Sequence, residues 1–239
     1  CNGSGRQGRE PCEECDGLGY RYPESVEQLT APVVEDVMDG VGATFHGAGR
    51  EDVDARMLGT GRPFVIEIED PRRRDVDTDR LQEDINAFAD GKVEVEGLRL
   101  ATHEMVERVK RHDASKRYRA AVSFDADVDA DDFAAALEEL DGATIEQETP
   151  NRVDHRRASK IRTRKVYDIE GDLEDARTAT VEIHGEGGLY IKELVSSDEG
   201  RTTPSLAGLL GVGAEVTALD VLRVEGESEP FENAAYFRD

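Results

Sequence analysis

An aspartate two residues past a Gly-Arg turn, in Gly49-Arg50-Glu51-Asp52, is the residue whose type and spacing best suit it to chemistry. A reactive carboxylate needs a loop to present it, a cation to keep it ionised and a rigid strand behind it. Arg50 is the cation, and the apolar run Pro63-Phe64-Val65-Ile66-Glu67-Ile68, beyond a second Gly-rich turn, reads as the strand. Asp54 competes for the same role, and either aspartate also suits a helix N-cap or an Asx turn. A second centre lies near the start of the chain. Cys12-Glu13-Glu14-Cys15-Asp16-Gly17-Leu18-Gly19 is a C-x-x-C-x-G-x-G knuckle, and Cys1-Asn2-Gly3-Ser4-Gly5 is the second half of the same pattern. Two knuckles make a four-thiolate structural zinc site. The ligands present are Cys1, Cys12 and Cys15, the fourth cysteine being expected upstream, so the chain is expected to be truncated at its N-terminus and zinc binding to be weakened or absent. His46 and His155 have no matching ligands at metal-site spacing.

These groups need elements to hold them. Residues 1–20 read as the remnant of the knuckle, and residues 21–239 as one catalytic-sized domain. Ser25 is an N-cap for a helix whose apolar stripe runs from Val26 to Met38. Further helices are expected at Asp77–Ala89, Thr102–Lys110, Ala130–Leu140, Tyr190–Val195 and Pro204–Leu210. Strands are expected at Pro63–Ile68, Val93–Leu100, Tyr118–Phe124, Thr144–Gln147, Ile161–Ile169, Ala179–Ile183 and Glu215–Val224. Strands and helices interleave without a regular βαβ period, which argues for an α+β fold with a mixed, largely antiparallel sheet and flanking helices. No apolar run approaches the roughly 20 residues that span a bilayer.

The net charge is −24, from 54 acidic and 30 basic residues. Phosphate binding needs cations, so the balance by itself argues against a nucleic-acid partner. Only six of the basic residues are lysine, however, and an Asp/Glu-rich, Lys-poor surface suits high salt, where charge serves solubility rather than partner choice. The basic residues also cluster. Arg152, Arg156, Arg157, Lys160, Arg162, Arg164 and Lys165 follow one another with only Asp154 opposing, and Arg108–Arg119 holds six more. A basic strip on an acidic body points to an anionic ligand.

Four segments line up with this reading: Gly49-Arg50-Glu51-Asp52; Ala114-Ser115-Lys116-Arg117-Tyr118-Arg119-Ala120; Pro150-Asn151-Arg152-Val153-Asp154-His155-Arg156-Arg157-Ala158; and Gly188-Leu189-Tyr190-Ile191-Lys192-Glu193-Leu194-Val195, continuing to Gly200-Arg201-Thr202-Thr203-Pro204-Ser205. Over residues 20–226 the chain resembles the pseudouridine synthase superfamily, and within it the archaeal tRNA enzymes that act on T-loop uridines 54 and 55. The Gly-Arg-x-Asp element is common; the His-Arg-Arg-Ala and Tyr-Ile-Lys-Glu segments are far more specific.

The resemblance implies an isomerase with the superfamily's mixed sheet and central cleft, no cofactor for catalysis, and Asp52 as the essential aspartate. It implies that Tyr118 stacks on the target base, that Lys192 pairs with the aspartate, that Tyr190 supports activity and that Arg50 holds the flipped nucleotide. Arg152, His155, Arg156, Arg157, Lys160 and Arg201 are expected to contact RNA. The expected partner is tRNA, with no membrane and no protein partner, and the expected state is a cytoplasmic monomer from a salt-loving archaeon. Relatives carry a further N-terminal RNA-binding domain, which this chain is expected to lack.

The chemistry of the residues agrees. Uridine must lose its N1–C1′ bond, rotate and rejoin through C5, and an ionised aspartate serves by attacking the sugar or by removing a proton from it. The base must first be flipped, at a cost of a few kcal/mol, and stacking on an aromatic ring returns about 1–3 kcal/mol. Two other readings remain. A non-catalytic RNA-binding module with a zinc knuckle would tolerate Asp52→Asn, and a zinc-knuckle interaction protein would lose its activity with the metal.

Overall fold

The thiol segment folds as a hairpin of β1 (Arg6–Gln7) and β2 (Glu10–Pro11). The later strands are β3 (Gly42–Gly47), β4 (Ala55–Met57), β5 (Phe64–Glu69), β6 (Ser115–Phe124), β7 (Thr144–Glu148), β8 (Ile161–Asp175), β9 (Thr178–Gly185), β10 (Thr202–Thr203) and β11 (Ala214–Glu225). The helices are α1 (Val26–Met38), α2 (Thr78–Ala89), α3 (Glu104–Arg111), α4 (Ala130–Leu140), α5 (Ile191–Ser196), α6 (Leu206–Leu210) and α7 (Glu229–Glu232). This computed structural model describes residues 5–20, 22, 24–49, 54–112, 114–152, 160–226 and 229–238. The chain forms two units, one of residues 1–47, 63–111 and 229–239, the other of residues 48–62 and 112–228. Among the described residues no helix is long and apolar enough to cross a membrane.

In the first unit Ser25 caps α1, its hydroxyl accepting from the Gln28 N–H at 3.3 Å, and Asp77 caps α2 through the Arg80 N–H at 3.0 Å. Each cap satisfies an N–H that has no partner inside its helix. The antiparallel pair β3–β5 stacks Phe45 on Phe64 at 5.1 Å, and Val34, Leu81, Ile85 and Val95 form the core. The expected strand over Val93–Leu100 is absent. Asn86 donates to the Val95 carbonyl at 2.9 Å and accepts from the Val95 N–H at 2.7 Å, while Gln82 accepts from the Leu98 N–H at 3.1 Å. Side chains of α2 thus take the backbone groups a neighbouring strand would have taken.

The C-terminal segment belongs to this unit too. The Thr102 N–H donates to the Tyr236 carbonyl at 2.9 Å and the Arg238 N–H to the Leu100 carbonyl at 3.0 Å. The Arg99 guanidinium lies 3.9 Å over the Phe237 ring, and that of Arg108 lies 3.7 Å over the ring of Tyr236 and donates to its hydroxyl.

The second unit is built on a seven-stranded sheet of order β10-β7-β8-β9-β6-β11-β4, antiparallel throughout except for the β11–β4 pair. The α+β class and the mixed, largely antiparallel sheet are therefore as expected. Tyr118, Ala120, Val122 and Phe124 alternate onto the buried face of β6 and pack with Phe133 and Leu137 of α4, Leu194 of α5 and Leu206 of α6. On the opposite face, cross-strand partners run Arg56, Asp220, Arg119, Glu182; Arg56 binds Asp220 at 2.8 Å and Arg119 binds Glu182 at 2.7 Å. Part of the basic run 108–119 is likewise committed: Arg117 pairs with Asp168 of β8 at 2.9 Å, and Arg111 pairs with Glu107 one turn back on α3 of the first unit at 3.5 Å. Helix α6 begins at Leu206 rather than Pro204, because Ser205 caps it through the Gly208 N–H at 3.2 Å.

Candidate active site

Arg50, Asp52, His155, Arg156, Arg157 and Cys1 lie outside the described residues, as does the Gly49-Arg50-Glu51-Asp52 turn beyond its glycine. The flanks of the Asp52 segment are described, and both sit against cations. At the first, Gly49 has φ +82°, and a Cβ there would come within 3.1 Å of an Arg62 guanidinium nitrogen and 3.7 Å of the Lys116 ammonium. Arg62 donates to the Ala48 carbonyl at 3.2 Å. Burial pushes its guanidinium down from the ordinary value, opposed by the nearby phenol of Tyr118. At the second, the Lys192 ammonium contacts both Asp54 oxygens, at 2.7 and 2.6 Å. The Lys192 hydrogen bond, aided by the charge of Arg152, holds the Asp54 carboxyl below the usual carboxylate range against a smaller opposing effect of burial. Of the two aspartates the sequence left in competition, Asp54 is the one seen on Lys192.

Lys192 projects from the first turn of α5, and Tyr190 is the residue that precedes that helix, in extended conformation at φ −88° and ψ 101°. The side chain of Tyr190 itself does not cap α5. Instead Gln147 of β7, fully buried, accepts from the Tyr190 N–H at 2.9 Å and donates to the Tyr190 carbonyl at 2.9 Å. Glu193, next to Lys192, is 4% exposed, and its two oxygens accept from Nε and Nη2 of Arg152, at 2.6 and 3.1 Å. The Arg162 guanidinium stands 5.9 Å from the Tyr190 ring centre.

Thr149 organises the base of the basic segment. It exchanges backbone and hydroxyl bonds with Lys160, its hydroxyl accepts from Arg162 at 2.8 Å, and its carbonyl accepts from Arg201 at 2.8 Å. Tyr118 is 5% exposed in the core, so little of the ring is open to solvent. Of the residues singled out from sequence, Tyr190, Lys192 and Arg152 thus come together around the start of α5, and Lys160 and Arg201 meet at Thr149. Sequence reading missed Gln147, Glu193, Arg62 and Lys116 as parts of this site. A glutamine at the inward position of an alternating strand, two residues after buried Ile145, is the one signal that pointed to any of them.

The thiol hairpin is suited to a thiolate-bound metal. Cys12 and Cys15 are buried, the Gly19 N–H donates to the Cys15 sulfur at 3.2 Å, and the Cys12 N–H donates to the Gly5 carbonyl at 2.8 Å. Gly5 has φ +68°, and a Cβ there would meet the Gly17 carbonyl oxygen at 2.2 Å, so the two halves of the knuckle touch through glycine backbone. Burial raises the Cys15 thiol, but hydrogen bonds from Gly19, Cys12, Gly17 and Leu18 outweigh it and leave the group below its ordinary value. Zinc held here would be structural. Among the described residues no group of three or more His, Cys, Asp or Glu side chains converges for a metal.

Residues 8–225 match the model of the family described as Pus10, C-terminal. The chain is 77% identical over 239 residues to a tRNA pseudouridine synthase Pus10 of Halorubrum lacusprofundi, covering all of this chain and 56% of that protein. It is 48% identical over 224 residues to the namesake of Archaeoglobus fulgidus, covering 94% and 60%, and 46% identical over 226 residues to that of Methanothrix thermoacetophila, covering 95% and 48%. It therefore spans about half the length of these curated relatives. Among solved structures, one described as a Cbf5-Nop10-Gar1 complex aligns with a TM-score of 0.46 at 22% identity, covering 83% of this chain and 46% of that one.

Proposed function

The chain belongs to the Pus10 C-terminal family, and from that premise we propose that it converts uridine to pseudouridine in the T-loop of tRNA, at position 54, position 55 or both, with Asp52 as the catalytic carboxylate. The observation that carries this reading is the placement of cations on both sides of the Asp52 segment: Arg62 and Lys116 against Gly49, Lys192 against Asp54. A carboxylate in a cleft that excludes water drifts toward its neutral form, and neighbouring cations oppose that drift.

In the proposed reaction the Asp52 carboxylate either attacks C1′ or takes a proton from the sugar. On the first route the carboxylate bonds to C1′ as the N1–C1′ bond breaks with its electron pair leaving on uracil, and it is released when the rotated ring bonds to C1′ through C5; on the second it takes the C2′ proton as the N1–C1′ bond breaks and returns that proton to C2′ when C5 bonds to C1′; on both, C5 loses its proton and N1 gains one. No cofactor enters. Tyr190 supplies aromatic surface for the flipped base, Arg50 holds the nucleotide, and Lys192 keeps the carboxylate ionised. The basic segment with His155, Arg156, Arg157 and Lys160 tracks the RNA backbone, while Arg152 and Arg201 hold its base. In high salt counterion release contributes little, so recognition rests on shape, stacking and hydrogen bonds. The enzyme is proposed to act in the cytoplasm as a monomer, and zinc on the hairpin thiolates, where bound, to be structural.

The test is incubation of the protein with unmodified tRNA transcript in molar potassium chloride, with carbodiimide mapping of pseudouridine, beside Asp52→Asn. Signal at T-loop uridines with the wild type and none with the variant is the expected result. Equal signal from both removes Asp52 from the mechanism, and binding without any signal favours an RNA-binding module.

A further inference from the structure

We infer that Gln147 is a positioning residue for catalysis: its buried amide fixes the backbone of Tyr190 and with it the turn that carries Lys192. The inference rests on the isomerase reading above. Gln147 accepts from the Tyr190 N–H and donates to the Tyr190 carbonyl, both at 2.9 Å, and its NH2 also reaches the Thr202 hydroxyl at 3.5 Å. The residue is 0% exposed, as is Thr149 two positions later, and Thr202 is 1% exposed. A primary amide matches a peptide unit in donor and acceptor placement, so Gln147 pairs with Tyr190 as a strand neighbour would.

The location gives the pairing a role beyond packing. Tyr190 is the last extended residue before α5, and its carbonyl also accepts the first helical bond, from Leu194 at 3.0 Å. Fixing the two peptide groups that flank the Tyr190 Cα fixes where the Tyr190 ring starts, and two residues later where the Lys192 ammonium starts. Thr202 lies on β10, which pairs with β7 directly opposite Gln147. The Gly200-Arg201-Thr202 segment, whose Arg201 is expected from sequence to contact RNA, thus reaches the Gln147 amide through Thr202. A misplacement of about 1 Å at a positioning group costs about a hundredfold in rate.

Two variants test this in the full chain. Gln147→Leu keeps the volume and removes both bonds; kcat is expected to fall about 10- to 100-fold with the KM for tRNA within about threefold, and the Tyr190 and Leu194 amides to exchange faster by mass spectrometry. Gln147→Glu keeps the acceptor for the Tyr190 N–H but turns a charged oxygen on the Tyr190 carbonyl. Burial raises the pKa of that carboxyl, and its neutral form regains a donor, so turnover by this variant is expected to rise relative to wild type as the pH falls through that raised value. The glutamate variant is read where the leucine variant fails to fold. Wild-type kcat and exchange in Gln147→Leu, a loss confined to KM, or a Gln147→Glu pH profile parallel to wild type would each overturn the inference. If the wild type makes no pseudouridine, the isomerase reading fails by that result, and the exchange of Tyr190 still decides whether Gln147 holds the turn.

Discussion

The ammonium of Lys192 sits against both carboxylate oxygens of Asp54, at 2.7 and 2.6 Å, across 138 residues of sequence. Lys192→Ala is expected to lower turnover about a hundredfold, the usual consequence of removing one preorganised charge from an active site. Asp54→Asn, which frees the ammonium without removing it, is expected to keep at least about a tenth of wild-type turnover. Single-turnover assays on tRNA transcript check both, and equal losses would show that the pair acts as a unit.

The same pair sets a pH dependence of stability. The folded Asp54 carboxyl lies below its unfolded value of about 3.9, so its contribution is fully present above that pH and is lost as the pH falls through the folded value. Asp54 is 69% exposed at its side chain, so the contribution is at most about 1 kcal/mol and weakens in salt. Urea midpoints of wild type and Asp54→Asn should differ slightly at pH 6 and converge below about pH 4.

Arg152 was read from sequence as an RNA contact, and its guanidinium is bound to the buried Glu193. Removing one partner of such a pair leaves a buried charge. Arg152 is one-third exposed, so Arg152→Ala is expected to cost about 2–4 kcal/mol, toward the low end for fully buried pairs. Thermal denaturation should show a fall of roughly 5–15 °C, with part recovered in Arg152→Ala/Glu193→Gln. Unchanged stability with a salt slope of tRNA binding reduced by about one would instead assign Arg152 to a phosphate.

The C-terminal segment is held by two arginine–aromatic stacks, Arg99 on Phe237 and Arg108 on Tyr236. Phe237→Ala and Tyr236→Ala are each expected to destabilise their unit by about 1–2 kcal/mol. The Thr102 and Arg238 amides, which bond across this contact, should lose hydrogen-exchange protection in both variants. Protection unchanged from wild type would show that the stacks are incidental.

Chelation separates the hairpin from the chemistry. Stripping metal, or replacing Cys12 with serine, is expected to speed proteolysis within residues 5–20 and leave the turnover of folded protein within about twofold, since a structural zinc contributes folding energy rather than chemistry. Loss of pseudouridine formation in protein that stays folded would place the metal in the mechanism.

Most of the local elements, and the family, were legible in the residues alone. The polar cap at Ser25, alternation along β6 and the Gly-Arg-x-Asp and Tyr-Ile-Lys-Glu segments are properties of neighbouring residues, and neighbours fix periodicity, turns and caps. The strand expected at residues 93–100 failed because Asn86 and Gln82, one element away, satisfy its backbone. β3 went unread because glycine stands at both its ends, and β4 because it has only three residues. What the tertiary structure decided is which distant charges and amides meet: Lys192 with Asp54, Arg152 with Glu193, Gln147 with Tyr190. Those pairings follow from sheet register and from where α5 leaves the sheet, and register is set by packing the whole buried face at once, which no short stretch of residues encodes.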